Sequence, residues 1–257
     1  MSILDGEGMD AVVTTIGNHR DMELERDNAE LARVNRQLEE FAYVASHDLK
    51  SPLLVVHGFL DLLQRTKADQ LDDDAKSYIA AALRGAGRMG ELIDDLLAYS
   101  RVGRSERDTE LVDLASILDD VLEERSEQLG LNDAVVSVGN LPTVLGNPIM
   151  LRQLFDNLVS NAIKFRRDDT SPEITIDAVS LHDEWLMRVI DNGIGIPEPE
   201  RETVFAMFCR LHQTDDVPGS GVGLAICHRV VQAHGGRLWV EDGADGGAAL
   251  CFTLRGE

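Results

Sequence analysis

The sequence predicts an α plus α/β protein: an antiparallel helical hairpin that pairs with a second copy into a four-helix bundle, followed by a two-layer α/β sandwich. Three observations predict it. Apolar residues recur at spacings of four and three through the first hundred positions. That period is lost in the charged stretch "YSRVGRSERDTE". Beyond it, amphipathic helical segments alternate with short period-two runs, the mixture expected of helices layered on a sheet. The boundaries follow: an N-terminal segment over residues 1–20, the hairpin over 21–105 and the sandwich over 106–257.

Residues 1–20 carry no comparable period and are expected to be the tail of an upstream domain. From there Leu24, Asn28, Leu31, Asn35, Leu38, Ala42 and Ala45 form a heptad seam with asparagine at two a positions. A buried asparagine is tolerated best where it pairs with its own copy, so the seam predicts a homodimer. The helix is expected to run on to Arg65 despite Pro52, which lacks the N–H that would bond the Asp48 carbonyl and so marks a hinge. "KADQLDDDAK" breaks the pattern, and a second seam follows through Ile79, Ala82, Ala86, Met89, Ile93 and Leu96. Gly85, Gly87 and Gly90 each cost about 1 kcal/mol inside a helix, which predicts close approach of a neighbouring helix.

In the second half, Asp113 is placed to cap a helix through Leu114, Ile117, Leu118 and Val121 that ends before Gly130, and "AVVSV" reads as a strand. Asn147 caps and Pro148 opens the next helix, which runs to about Arg166. "EITIDAV" and "EWLMRVI" alternate as paired strands. "GVGLAICHRVVQAHGG" is a helix closed by glycine, and "RLWVE" and "AALCFTL" return to strand.

Composition narrows the function classes. A formal net charge of -22 repels nucleic acid and anionic membrane, and no basic patch offsets it, lysine being confined to Lys50, Lys67, Lys76 and Lys164. The acidity reads as a solvated surface or as adaptation to high salt. No apolar run approaches the ~20 residues that span a bilayer, so the chain is expected to be cytoplasmic, with no membrane insertion. Cys209, Cys227 and Cys251 lack metal-ligand spacing and read as reduced, buried thiols.

Three clusters point to a nucleotide. Asn157, Asn161 and Lys164 share one helix face, two carboxamides and an ammonium suited to Mg²⁺ on a triphosphate. In "DNGIGIP", Gly193 and Gly195 permit a tight turn, while Asp191 can accept from an exocyclic amine such as that of adenine. "PGSGVGLAI" sets Gly219, Gly221 and Gly223 before a helix, where free N–H groups attract phosphate. It is not a dinucleotide fingerprint, because Leu224 stands at the third glycine position and no strand precedes it. The segment from "VFAMFCR" to these glycines reads as a mobile lid. On the first helix, the seam's register places His47 at f, away from the partner, with Asp48 able to bond Nδ1 and leave Nε2 nucleophilic.

"SHDLKSPL", "DNLVSNAIKF", "DNGIGIP", "VFAMFCRLH" and "GSGVGLAIC", in this order, resemble the H, N, G1, F and G2 boxes of the sensor histidine kinases, whose catalytic domain has the Bergerat ATP-binding fold. The wording after "RLH" is most similar to the phytochrome-like branch with upstream PAS or GAF sensors. The resemblance implies ATP-dependent phosphorylation of His47 with Asp48 as general base, then transfer to an aspartate on a response regulator receiver domain. It implies Mg²⁺ on Asn157 and Asn161, phosphate contacts from Lys164 and Arg210, adenine on Asp191, and the five glycines and Leu224 around the same ATP. Phe205 and Phe208 would anchor the lid. Ser51 stands where the family often has a threonine or asparagine that positions water, which predicts weak phosphatase activity. The competing readings are a dimeric signalling scaffold without catalysis and a non-kinase Bergerat ATPase, which would want a glutamate in place of Asn157.

Overall fold

The computed structural model describes residues 26, 33, 44, 46, 48–102, 109–211 and 220–256, and they fall into two compact units, 1–45 and 46–257. In the first unit Arg26, Arg33 and Val44 are helical, and the heptad seam lies outside the described residues.

The second unit opens with helix α1, residues 48–67, which stays helical across Pro52. The proline removes one backbone bond there without ending the helix, so the expected hinge takes the form of an unbroken helix lacking a single N–H donor. A 3₁₀ turn, Ala68–Gln70, leads to Asp72, whose carboxylate accepts from Ala75 N at 2.7 Å and caps helix α2, Asp73–Arg101. Lys50 pairs with Asp94, and Leu53 lies nearest Gly90, so the two helices run antiparallel. Ile79 and Ala86 are buried, while Leu54, Val55, Phe59, Leu62, Tyr78 and Met89 stay exposed. Within the chain, a Cβ on Gly85 or Gly87 would meet nothing within 4 Å, and one on Gly90 only Leu53 at 3.9 Å, so any close approach at the first two glycines would come from a second copy. No helix among the described residues is long and apolar enough to cross a membrane.

A five-stranded sheet follows, in the order β2 (Val135–Val138), β4 (Glu173–Leu181), β5 (Glu184–Asp191), β7 (Ala248–Arg255), β6 (Leu238–Asp242). Only the β2–β4 pair is parallel. Helices α3 (Leu114–Glu124), α5 (Pro148–Lys164) and α6 (Gly223–Ala233) form the second layer. Leu154, Phe155 and Leu158 of α5 meet Ile226 and Val230 of α6 in the core, and Phe155 packs edge-on against Phe252 at 6.2 Å. Truncating a leucine of this layer to alanine removes about 2–5 kcal/mol.

The expected caps form: Asp113 accepts from Ala115 N at 3.0 Å, and Asn147 from Met150 N at 3.1 Å. Helix α3 ends sooner than the pattern suggested. It breaks at Arg125, and a short α4, Ser126–Leu131, carries Gly130 inside it. Strands β1 (Glu110–Asp113) and β3 (Thr143–Gly146) form a separate antiparallel ribbon that the sequence did not announce. His234 ties the helix layer together, because its Nε2 accepts from Asn147 N at 3.0 Å and its Nδ1–H donates to Val230 O at 2.7 Å. The N-terminus of α5 is thereby held against the C-terminus of α6.

Candidate nucleotide site

Buried leucines hold one face of α5 to the sheet, so the opposite face is turned toward a cleft of ≈ 630 Å³. Asn157, Asn161 and Lys164 line it together with Asp191, Gly195, Arg210, Gly221, Gly223 and Leu224. Gly219 and His47 lie outside the described residues. Gly193 is buried beneath the cleft and does not line it; a Cβ there would stand 2.4 Å from Phe165 O, so glycine lets the β5 turn close over the end of α5. Phe208 is 58% exposed and does not line the cleft either. Phe205 stacks on His228 at 5.5 Å. Asp48, Ser51 and Pro52 sit exposed on α1.

Asp191 is oriented from the backbone. Its Oδ1 accepts from Gly193 N at 2.8 Å and Ala248 N at 3.1 Å, which leaves Oδ2 for a ligand. Burial raises its pKa; the two backbone donors and the Arg167 charge oppose that rise without cancelling it. The turn is pinned by buried Asn192, whose amide donates to Ser171 O and accepts from Glu173 N. Ile194, Ile196, Val204 and Leu250 add apolar wall near it, the surroundings a flat heterocycle requires.

At the other end, Asn157 Nδ2 donates to Gln153 O at 3.0 Å, so its Oδ1 faces Gly223 and the cleft. The two carboxamides and the open approach at Gly223 fit a hard cation shared with phosphate oxygens. Burial lowers the Lys164 pKa, with the Arg210 charge acting in the same direction and Glu91 and Asp95 opposing it. Gly221 adopts φ +73°, and a Cβ there would lie 2.7 Å from Cys209 O. Helix α6 then begins with no side-chain cap, its first N–H groups facing the loop.

Several cleft residues were not anticipated. Arg125, Gln128 and Asp156 line one end, Arg125 donating to both of the others. Glu91, Asp94 and Asp95 reach the cleft from α2. Arg125, Gln128 and the three α2 carboxylates stand far from the nucleotide motifs in the chain, and Asp156, although it directly precedes Asn157, drew no notice as a cleft residue.

Fold and cleft together define the class. Residues 146–257 match the family described as histidine kinase-, DNA gyrase B- and HSP90-like ATPase, and residues 37–105 match the His Kinase A (phospho-acceptor) domain. The chain belongs to the sensor histidine kinases: it is 32% identical to the mycobacterial sensor histidine kinase MprB, covering 58% of this chain and 97% of that one with a TM-score of 0.51. Cyanobacterial phytochrome A of Nostoc is 43% identical over 225 residues, 88% of this chain. The chain spans 29% of that relative's length. Full-length ShkA, solved with AMPPNP, superposes with a TM-score of 0.65 at 27% identity over 84% of this chain and 45% of its own.

Proposed function

We propose that this chain is the transmitter of a two-component sensor, which uses ATP to phosphorylate His47 and passes the phosphoryl group to an aspartate of a separate receiver domain. The observation that carries it is the single cleft that gathers Asp191, Asn157, Asn161, Lys164 and the glycines before α6. Asp191 Oδ2 would accept the adenine amine, and Lys164 and Arg210 would contact phosphates. Asn157 and Asn161 would hold Mg²⁺, which supplies charge neutralisation on the phosphates. In the transfer, Nε2 of His47 forms a bond to the γ-phosphorus as the bond to the β,γ-bridging oxygen breaks, and ADP leaves. Asp48 would bond Nδ1–H and keep the attacking nitrogen unprotonated.

The exposed apolar residues of α1 and α2 support pairing with a second copy, and the phytochrome relative supports an upstream PAS or GAF sensor. The domain boundaries at 20 and 105, and a cytoplasmic location, belong to the same reading.

Incubation with γ-labelled ATP and Mg²⁺ tests it. Acid-labile, base-stable label is expected on the wild type and lost from His47→Gln and Asn161→Ala. Phosphate release without protein label would instead identify an ATPase, and neither signal a scaffold.

A further inference from the structure

Helix α2 does not stop at the edge of the sandwich. Val102, just past its end, is 1% exposed within the sandwich core, Tyr99 lies under the Arg229 guanidinium at 4.5 Å, and Ala98 packs beside them. This seating brings the preceding turns of α2 into the cleft. The Ser220 hydroxyl donates to Asp95 Oδ2, and Ser220 Oγ itself accepts from Val222 N at 3.2 Å. Ser220 sits in the loop that opens α6, beside Gly221 and Gly223. Glu91 and Asp94 line the cleft from the same helix, and the charges of Glu91 and Asp95 act on Lys164.

We propose that α2 is a built-in competitor of the nucleotide: the Asp95 carboxylate, bonded to Ser220, holds the loop before α6 in place of phosphate, and a polyphosphate binds only as α2 releases it. The chemistry of the contact carries this. A carboxylate oxygen accepts from a hydroxyl as a phosphate oxygen does, so Ser220 serves one or the other. Three carboxylates from α2 repel a polyanion in the same cleft, and the repulsion is strongest where water is thinned out. Asp94, next in the chain, is ion-paired to Lys50 on α1, three residues beyond His47. Displacement of α1 therefore reaches the loop through two adjacent residues.

The inference rests on the nucleotide reading above, and its test separates the two. AMPPNP with Mg²⁺ is titrated calorimetrically into the full chain, as wild type, Asp95→Asn and Asn161→Ala. Asp95→Asn keeps a hydrogen bond and removes the charge, and is expected to tighten binding about five- to tenfold, the factor by which the competent state is under-populated. Asn161→Ala is expected to weaken it at least about tenfold. Wild-type binding lost in Asn161→Ala but unchanged or weaker in Asp95→Asn overturns the competitor and leaves the site standing. Binding unaffected by Asn161→Ala overturns both. As a second measurement, Asp95→Cys combined with Ser220→Cys is oxidised and the crosslink verified by peptide mapping. The trapped form is expected to lose AMPPNP binding and regain it with dithiothreitol; affinity that persists in the trapped form overturns the proposal.

Discussion

Asp191 has two oxygens with separate duties: backbone N–H groups engage Oδ1, and the ligand is left Oδ2. Asp191→Asn preserves the first duty and reverses the second, presenting an N–H to the adenine amine. Nucleotide affinity should fall about 10- to 100-fold, the cost of a buried donor facing a donor, while the ligand-free protein melts at the same temperature or higher. Burial raises the Asp191 pKa, so the folded state binds this proton more tightly than the unfolded chain. The wild type's stability is fully present below the unfolded value and is lost as pH rises through the folded one. Melting curves of the two proteins should therefore converge as pH is lowered from neutrality. Asp191, Asn157 and Asn161 were legible because each sits in a local motif whose spacing fixes its face. Asp95 was not, since its part in the cleft depends on a contact with Ser220, 125 residues further along the chain. Phe208 misled for the opposite reason, as a neighbour of Phe205 that turns outward.

Among elements, α2 carries a local cost that its own chain does not offset. Its glycines suggested a crowded crossing, yet a Cβ at Gly85 or Gly87 meets only open space within the chain. Gly85→Ala and Gly87→Ala should each raise stability by about 0.5–1 kcal/mol, from backbone entropy alone. Thermal melts check this, and a loss of stability in either variant would show that a second copy packs there. Strands β4, β5, β6 and β7 were readable from alternation and length. Strands β1 and β3 have four residues apiece, and exposed Leu111 and Leu145 face each other across the ribbon, so their pattern was too short to separate from loop. The break at Arg125 escaped notice as well. What fixes it is a pairing with Asp156, thirty-one positions along the chain, and no local breaker residue marks it.

For the whole molecule, 46 acidic side chains against 24 basic ones make self-repulsion a standing opponent of the compact state. Raising sodium chloride from about 10 mM to 1 M shortens the Debye length from about 30 Å to 3 Å. The melting temperature should rise over that range, and a flat response would assign the acidity to neutral surface drift. The order of the sheet has a different consequence, one for biosynthesis. Strands β5 and β6 both precede β7 in the chain, β6 by only a short turn, yet β7 is the strand that joins them, and all of it but Arg255 is buried. Until residues 248–255 have emerged, the sheet is two pieces with apolar edges bare. The cleft therefore assembles only once β7 is available to pair, and a nascent chain stalled before that point is a substrate for chaperones.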